Sequence, residues 1–314
     1  MNNFQEIKNK IEKSNYIIVT AHINPDGDAI GAGLALTLAL KKIGKKVRFV
    51  LQDSYPKTTL FLKNIELAER YSENENYDND LTICVDCATD ERLGATKALL
   101  KNKDSINIDH HISNTKYGTL NYVETVSSTS EIIYSLLKYC NIELDTAIGE
   151  ALYTGLVNDT GNFQHDNVTE KTFEMAGDLI RCGVNNSKVV REFMRTKTFA
   201  AIKLMGKAMS GMKFDSEKKL AYYFMTKEEL DKYSGKKEDT EGIVEELLSL
   251  REAEASLFLR EDQKGVIKGS MRSKNSIDVN VIAGIFNGGG HKKAAGFTST
   301  LPSEVIIKTV LEKL

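Results

Sequence analysis

The sequence predicts an α/β protein of two domains, and three observations carry that reading. The chain opens with a strand, a polar loop, a helix and a second strand, the unit from which open helix-flanked sheets are built. Two further short apolar runs continue the pattern, each ending on an acid or an imidazole. After residue 212 the composition shifts toward a separate strand-rich segment. A length of 314 residues, with 41% hydrophobic and 27% charged, suits two ordinary globular cores.

Taken in order, the first strand runs from Ile18 into His22, where β-branched residues give way to a loop, His22-Ile23-Asn24-Pro25-Asp26-Gly27-Asp28. A small-residue helix is predicted over Asp28–Ile43, stopped by Gly44, then a strand at Lys46–Leu51. Tyr55–Tyr71 reads as helical and Ser72–Asp80 as a polar loop. Buried strands follow at Leu81–Asp86 and from Ser105 into Asp109-His110-His111. Helices are predicted at Ser130–Tyr139, Thr146–Val157 and Thr169–Arg181, with a polar break at Val157–Phe163 that carries Asp159. Ser187–Met212 continues helically as a connector, giving domains at 1–186 and 213–314. The second domain reads as a strand at Leu220–Thr226, a helix at Asp239–Leu250, and strands at Ala255–Arg260 and Gly265–Arg272. An apolar helix at Asp278–Phe286 then empties into Asn287-Gly288-Gly289-Gly290-His291; Phe297–Thr300 and a helix from Ser303 close the chain.

Several function classes are disfavoured by composition. A formal charge of −2 leaves no large basic face for sequence-independent binding along a duplex. Met1–Lys13 is polar with charges of both signs, unlike a secretory leader, and the small-apolar run Ala29–Leu40 is too short to span a bilayer. A cytoplasmic protein with no membrane association is expected. Four scattered cysteines do not make a disulfide framework, and Cys84 and Cys87 lack a second pair or a histidine at finger spacing for zinc.

The chemistry lies in the loops. His22, Asp26 and Asp28 suit a divalent cation, although an Asx-type turn with Asp28 as helix cap would use the same residues. Ligand sites in open α/β sheets lie beyond the carboxyl ends of the strands, so the ends carrying His22, Asp86 and His110 can converge although distant in sequence. With Asp159 they make two imidazoles and four carboxylates, enough for two ions about 3.5–4 Å apart, the arrangement that activates water for phosphoryl transfer. Oxygen-rich ligands favour manganese or magnesium over a thiolate zinc site. His111 cannot easily share an ion with His110 and reads as facing substrate, while Asp109 is placed to orient an imidazole. In Gly288–His291 the glycines let a phosphate approach backbone N–H groups, with Lys292 and Lys293 adding charge; a plain helix stop is the simpler reading. Arg272-Ser273 offers a phosphate donor or a surface turn, and Ser127–Ser130 a helix cap with at most a minor substrate role.

These residues resemble the DHH/DHHA1 phosphoesterase family, through His22-Ile23-Asn24-Pro25-Asp26-Gly27-Asp28, Val85-Asp86, Asp109-His110-His111, Asn158-Asp159-Thr160-Gly161 and Gly288-Gly289-Gly290-His291 in the family's order. The resemblance implies an amino-terminal DHH domain with a mostly parallel sheet flanked by helices, joined by a helical connector to a smaller α/β DHHA1 domain that binds the nucleotide. It assigns His22, Asp26 and Asp86 to one cation and Asp28, Asp86, His110 and Asp159 to the other, with Asp86 bridging. His111 would contact the scissile phosphate, and Arg272, Gly289, Gly290 and His291 the rest of the substrate. Two divalent cations, manganese with magnesium as the alternative, would activate the attacking water, and closure of the connector would gate turnover. Lacking extra modules, the chain looks most like the type that degrades very short single-stranded oligonucleotides and dephosphorylates 3′-phosphoadenosine 5′-phosphate, often as a homodimer. RecJ-type exonucleases normally carry a further nucleic-acid module, and pyrophosphatase relatives lack the glycine-rich histidine element. The alternatives are a phosphodiesterase for cyclic di-AMP or its linear product, and a nucleotide sensor with a vestigial metal site.

Overall fold

The computed structural model describes residues 4–101 and 103–314, and the chain divides into two compact units, Met1–Thr196 and Lys197–Leu314. Met1–Asn3 of the polar opening stretch lie outside the described residues; from Phe4 that stretch is an amphipathic helix, α1 (Phe4–Lys13), whose Ile7 and Ile11 are buried. Among the described residues no helix is long and apolar enough to cross a membrane.

The first unit is built on β1 (Tyr16–Thr20), α2 (Gly27–Lys42), β2 (Lys46–Leu51), β3 (Ala68–Arg70), β4 (Leu81–Val85), β5 (Asp104–Asp109) and β6 (Leu120–Val123). Its six strands lie in the order β3-β2-β1-β4-β5-β6, every neighbouring pair parallel. Chain order runs outward in both directions from the β1/β4 pair, where Val19 stands opposite Ile83. That reversal opens a crevice beyond the strands' carboxyl ends. Helices α3 (Thr129–Tyr139), α4 (Thr146–Asp159), α5 (Glu170–Arg181) and the short α6 (Asn186–Val190) complete the unit.

Period-two alternation divides the strand residues between the sheet faces. Ile17, Val19, Ile83, Val85, Ile106 and Ile108 join α2, α3 and α4 in the main core. On the opposite face Ile18 and Val50 meet Leu99, and the buried, free Cys84 and Cys87 meet Leu93. Leu93 and Leu99 belong to a run of 3₁₀ turns, Asp90–Leu100, which folds across that face and bends at Gly94 (φ 60°).

Several elements differ from expectation. Tyr55–Tyr71 is no helix: it holds two short 3₁₀ turns, at Lys57–Thr59 and Ile65–Leu67, and the edge strand β3. Pro56 fixes an extended entry and Asn64 is left-handed (φ 64°), so no continuous ladder can form there. The helical run read over Ser187–Met212 is also broken. After α6 come a π-helical turn at Arg191–Arg195 and an extended link, and α7 (Phe199–Gly211) starts afresh with Thr198 capping Ala201.

The second unit holds α7, β7 (Lys213–Asp215), β8 (Leu220–Met225), α8 (Lys227–Lys232), α9 (Ile243–Leu248), β9 (Ala255–Gln263), β10 (Val266–Ser273), α10 (Val279–Gly284), β11 (Gly289–His291), β12 (Ala294–Ser299) and α11 (Ser303–Lys313). Its sheet is mixed, in the order β11-β12-β10-β9-β8-β7, with only the β8/β9 pair parallel. The glycine run is therefore part of an edge strand and not merely a helix stop. Both units are α/β.

Candidate metal centre

Each side chain of the centre is delivered by the end of a regular element. His22 follows β1 by two residues; Asp86 follows β4 directly; Asp109 ends β5, with His110 and His111 next; Asp159 ends α4. The cap of α2 is Asp26 and not Asp28, its Oδ1 accepting the N–H groups of Asp28 and Ala29 at 3.0 and 3.1 Å. Asp28, fully buried, sits in the first turn of α2 and accepts the N–H groups of Thr129 (2.6 Å) and Ser130 (2.9 Å) at the start of α3. The cap and the metal loop are one structure.

Donor atoms fall into sets lying within 4.8 Å of one another: His22, Asp26 and Asp86; Asp28, His110 and Asp159; and Asp86, His110 and His111. Asp86 belongs to two of them. Its Oδ2 lies 3.5 Å from His22 Nε2, while its Oδ1 lies 3.6 Å from His110 Nε2 and accepts from the Thr129 hydroxyl at 3.0 Å. Asp86 is left-handed (φ 53°), which turns its carboxylate across the crevice. His110 Nε2 is 3.1 Å from Asp159 Oδ2, and His22 Nε2 is 4.0 Å from Asp26 Oδ1. The ring nitrogens facing away are engaged with carbonyls, His22 Nδ1 with Ile23 O (2.7 Å) and His110 Nδ1 with Val126 O (3.3 Å). That leaves each Nε2 turned inward.

His111 is differently committed. Its Nδ1 donates to Asp109 Oδ1 at 2.7 Å, and the other oxygen of Asp109, wholly buried, accepts from Asn114 Nδ2 at 2.6 Å.

The electrostatics are those of carboxylates crowded out of water. Burial, then the charges of Asp159 and Asp86, raises the pKa of Asp28 well above the ordinary carboxylate range; burial, then Asp86 and Asp159, raises Asp26. Burial alone would raise Asp86 too, but His22, His110 and His111 around it outweigh that and lower it. Burial opposes charge on His110, yet Asp159, Asp28 and Asp86 push its pKa up to about 10. No Lys or Arg pairs with any of these carboxylates among the described residues. Inward nitrogen and carboxylate donors in sets of ligand spacing, with acidic charge that no Lys or Arg pairs, fit divalent cations.

Some contributors are invisible in the sequence pattern. Thr129 bonds Asp28 and Asp86 together. Asn167 donates to the carbonyls of Asp159 and Ser127, and His165 Nδ1 meets the Asp159 carbonyl at 2.9 Å, so one loop holds the end of α4. Ser128 is the helix cap of α3. The spacing S-x-x-E in Ser128–Glu131 was the one available signal.

In the second unit, Arg272 stands opposite Ala294, which stands opposite His291. Directly opposed residues project to the same face, so Arg272 and His291 flank one strand on one side of the sheet. Arg272 is paired with Glu245 at 2.8 Å. A Cβ at Gly288 or Gly290 would strike the β12 backbone at 2.3 or 2.4 Å; at Gly289 it would meet nothing closer than Asn280 Oδ1 at 3.7 Å. Packing therefore explains the first and third glycines, while the second, exposed, would accept a Cβ at ordinary contact distance.

Residues 16–156 match the DHH family, N-terminal domain, and residues 217–313 match the DHHA1 domain. The bifunctional oligoribonuclease and PAP phosphatase NrnA of Bacillus subtilis is 32% identical over 291 residues, covering 89% of this chain and 88% of its own. Its Thermus thermophilus namesake is 30% identical over 288 residues, covering 90% and 83%. The crystal structure of an exopolyphosphatase-related protein from Bacteroides fragilis, 28% identical, gives a TM-score of 0.91 over 99% of this chain and 95% of that one. The resemblance extends through both units, and the chain belongs to the DHH family of phosphoesterases.

Proposed function

We propose that this phosphoesterase is a divalent-cation-dependent hydrolase of very short oligonucleotides and of 3′-phosphoadenosine 5′-phosphate, with manganese as its resident ion. The observation that carries the proposal is the carboxylate of Asp86, one oxygen turned to His22 and the other to His110. In this reading His22, Asp26 and Asp86 hold one cation, Asp28, Asp86, His110 and Asp159 the second, and the names of the relatives supply the substrate class. Bound there, two cations would supply water acidic enough to act as a nucleophile near neutral pH, and neutralisation of phosphoryl charge.

The remaining work falls to side chains. His111 is held through Nδ1 by Asp109, so Nε2 is the nitrogen presented to substrate, where it donates to a phosphoryl or leaving oxygen. In the second unit the exposed Gly289, with Gly290 and His291, receives a substrate phosphate, and Arg272 joins it by exchanging its bond to Glu245.

The test is turnover with manganese, read as phosphate release from 3′-phosphoadenosine 5′-phosphate, mononucleotide release from an RNA dinucleotide and ring opening of cyclic di-AMP. Turnover of the first two above the third is expected; preference for cyclic di-AMP would overturn the substrate, and turnover of none the activity. Asp86→Ala should be inactive, and Asp86→Asn, which keeps a side chain that tolerates the left-handed backbone, should fold and be inactive too. Activity within a few fold of the parent would remove Asp86 from the bridge.

A further inference from the structure

The centre, as described, has one group able to meet phosphoryl oxygens from the first unit, His111. A substrate bearing two or more negative charges beside four carboxylates calls for more positive charge than that. The first unit contains a guanidinium at the edge of the centre, against the outer nitrogen of the His22 ring, that pairs with no anion among the described residues. Arg92, in the first 3₁₀ turn after β4, is half-buried and enters no ion pair among the described residues. Among the described residues its side chain has one contact within hydrogen-bond range, His22 Nδ1 at 3.1 Å from Nη2.

That neighbour cannot satisfy it. His22 Nδ1 lies 2.7 Å from the Ile23 carbonyl and carries the proton for that bond, so it has no lone pair to offer Arg92. The contact is between two donors. An arginine has five N–H donors and no acceptor, and one held by no carboxylate keeps its fork free for an anion.

The backbone around Arg92 is anchored firmly enough to make its position a designed one. The Ile23 N–H, inside the metal loop, donates to the Arg92 carbonyl at 2.7 Å. Leu93 is buried against Cys84 and Cys87, and Ala95 N–H donates to Gln52 Oε1 at 2.7 Å. A Cβ at Gly94 would come within 2.8 Å of Ile23 Cγ2, so the 3₁₀ run is pressed against the loop. The segment that covers one face of the sheet thus also carries a cation to the edge of the centre.

We propose that Arg92 is a phosphate-binding residue, its guanidinium fork receiving the non-bridging oxygens of the phosphoryl group held beside His22 and Asp86. This rests on the phosphoesterase reading of the site and adds a contact to it. The planar fork matches two phosphate oxygens at once, which a lysine in the same place would not. The ligand class is a phosphate ester or the phosphate monoanion or dianion it releases.

The experiment reads binding as well as turnover. Inorganic phosphate is titrated calorimetrically into the manganese-loaded protein and into Arg92→Gln, and manganese affinity is measured separately on each. Expected is phosphate affinity weaker by about tenfold or more in Arg92→Gln, with manganese affinity within about twofold and Arg92→Lys intermediate. Unchanged phosphate affinity overturns the proposal. So does a parallel loss of manganese affinity, which would make Arg92 a support for His22. Should Arg92→Gln not fold, phenylglyoxal modification of the parent decides: phosphate must suppress the adduct on the Arg92 peptide, and no protection is a refutation. A parent that binds phosphate through Arg92 yet turns over no phosphate ester would refute the functional reading and leave this contact standing.

Discussion

At Asp86 a non-glycine residue takes a left-handed backbone (φ 53°) at the carboxyl end of a central strand, a conformation that aspartate tolerates better than most. The turn gives its two oxygens different neighbours, and those neighbours are themselves held: Asn114 bonds Asp109, and Asp109 bonds His111. Asn114 also donates to Asn107 Oδ1 at 2.7 Å, tying this chain of bonds to the buried strand. Asn114→Ala is therefore expected to fold normally and lose roughly 10–100-fold in kcat, with manganese affinity kept, because it frees the carboxylate that fixes His111. Equal losses in kcat and manganese affinity would place Asn114 behind the ligands instead. A second consequence concerns protons. With His110 raised to about 10, the cation-free centre holds that imidazole protonated across the neutral range, and a cation must displace the proton. Lower pH means more protonated His110 and weaker binding; manganese affinity should rise by up to about tenfold per pH unit between pH 6 and 9. Calorimetry in buffers of different ionisation enthalpy would show the released proton, and a pH-independent affinity would contradict it. His22, Asp86, His110 and Asp159 lie at element ends that the pattern of apolar runs marks by itself. Arg92, Asn114 and Asn167 were not legible, since each comes from a loop whose placement depends on tertiary packing, and Thr129 was legible only as part of a helix cap and not as a partner of Asp28 and Asp86.

Between elements, the decisive contact is α2 against α4. The two helices approach at glycines: a Cβ on Gly31 would lie 2.5 Å from the Ala151 carbonyl oxygen, and one on Gly155 would lie 2.0 Å from Ser130 Oγ and 2.4 Å from Asp28 Oδ1. Small residues in α2, read in the sequence only as a small-apolar helix, are what lets Asp28 reach α3 and α4. Gly155→Ala should destabilise the protein by about 1–3 kcal/mol through overpacking and, unlike a remote core change, should also weaken manganese binding by moving Asp28. Thermal melts together with a manganese titration test this; loss of stability alone would mean that Ser130 absorbs the clash. Tyr55–Tyr71 reads as helical because its apolar residues recur at helical spacing, but Pro56 and the left-handed Asn64 prevent a ladder. The break within Ser187–Met212 left no comparable mark, since neither glycine nor proline interrupts Arg191–Thr198.

For the whole molecule, the α/β class and the parallel sheet followed from the alternation of short buried strands with helices, whereas the strand order did not, because local pattern carries no information about which strands pair. The order β3-β2-β1-β4-β5-β6 is what places the ends of β1, β4 and β5 side by side. A cation bound only by that assembled arrangement should stabilise it by about 2.7 kcal/mol at a hundred times its Kd, an increase in Tm of about 5–10 °C. Differential scanning calorimetry with manganese, magnesium and a chelator measures this, and a Tm indifferent to all three would argue against cation sites. The β1/β4 pairing also fixes the time at which the centre can exist during folding. His22, Asp26 and Asp28 are local to one loop, but Asp86 reaches them only after Val19 has found Ile83 across a long intervening chain, and His110 and Asp159 arrive later in the sequence still. Such non-local parallel pairing is slow to form, and until it has formed no chain segment carries a complete ligand set. The ion is accordingly a latch on a finished sheet: it has little to grip in the transition state for folding and much in the native state, and its main kinetic effect falls on the rate of unfolding.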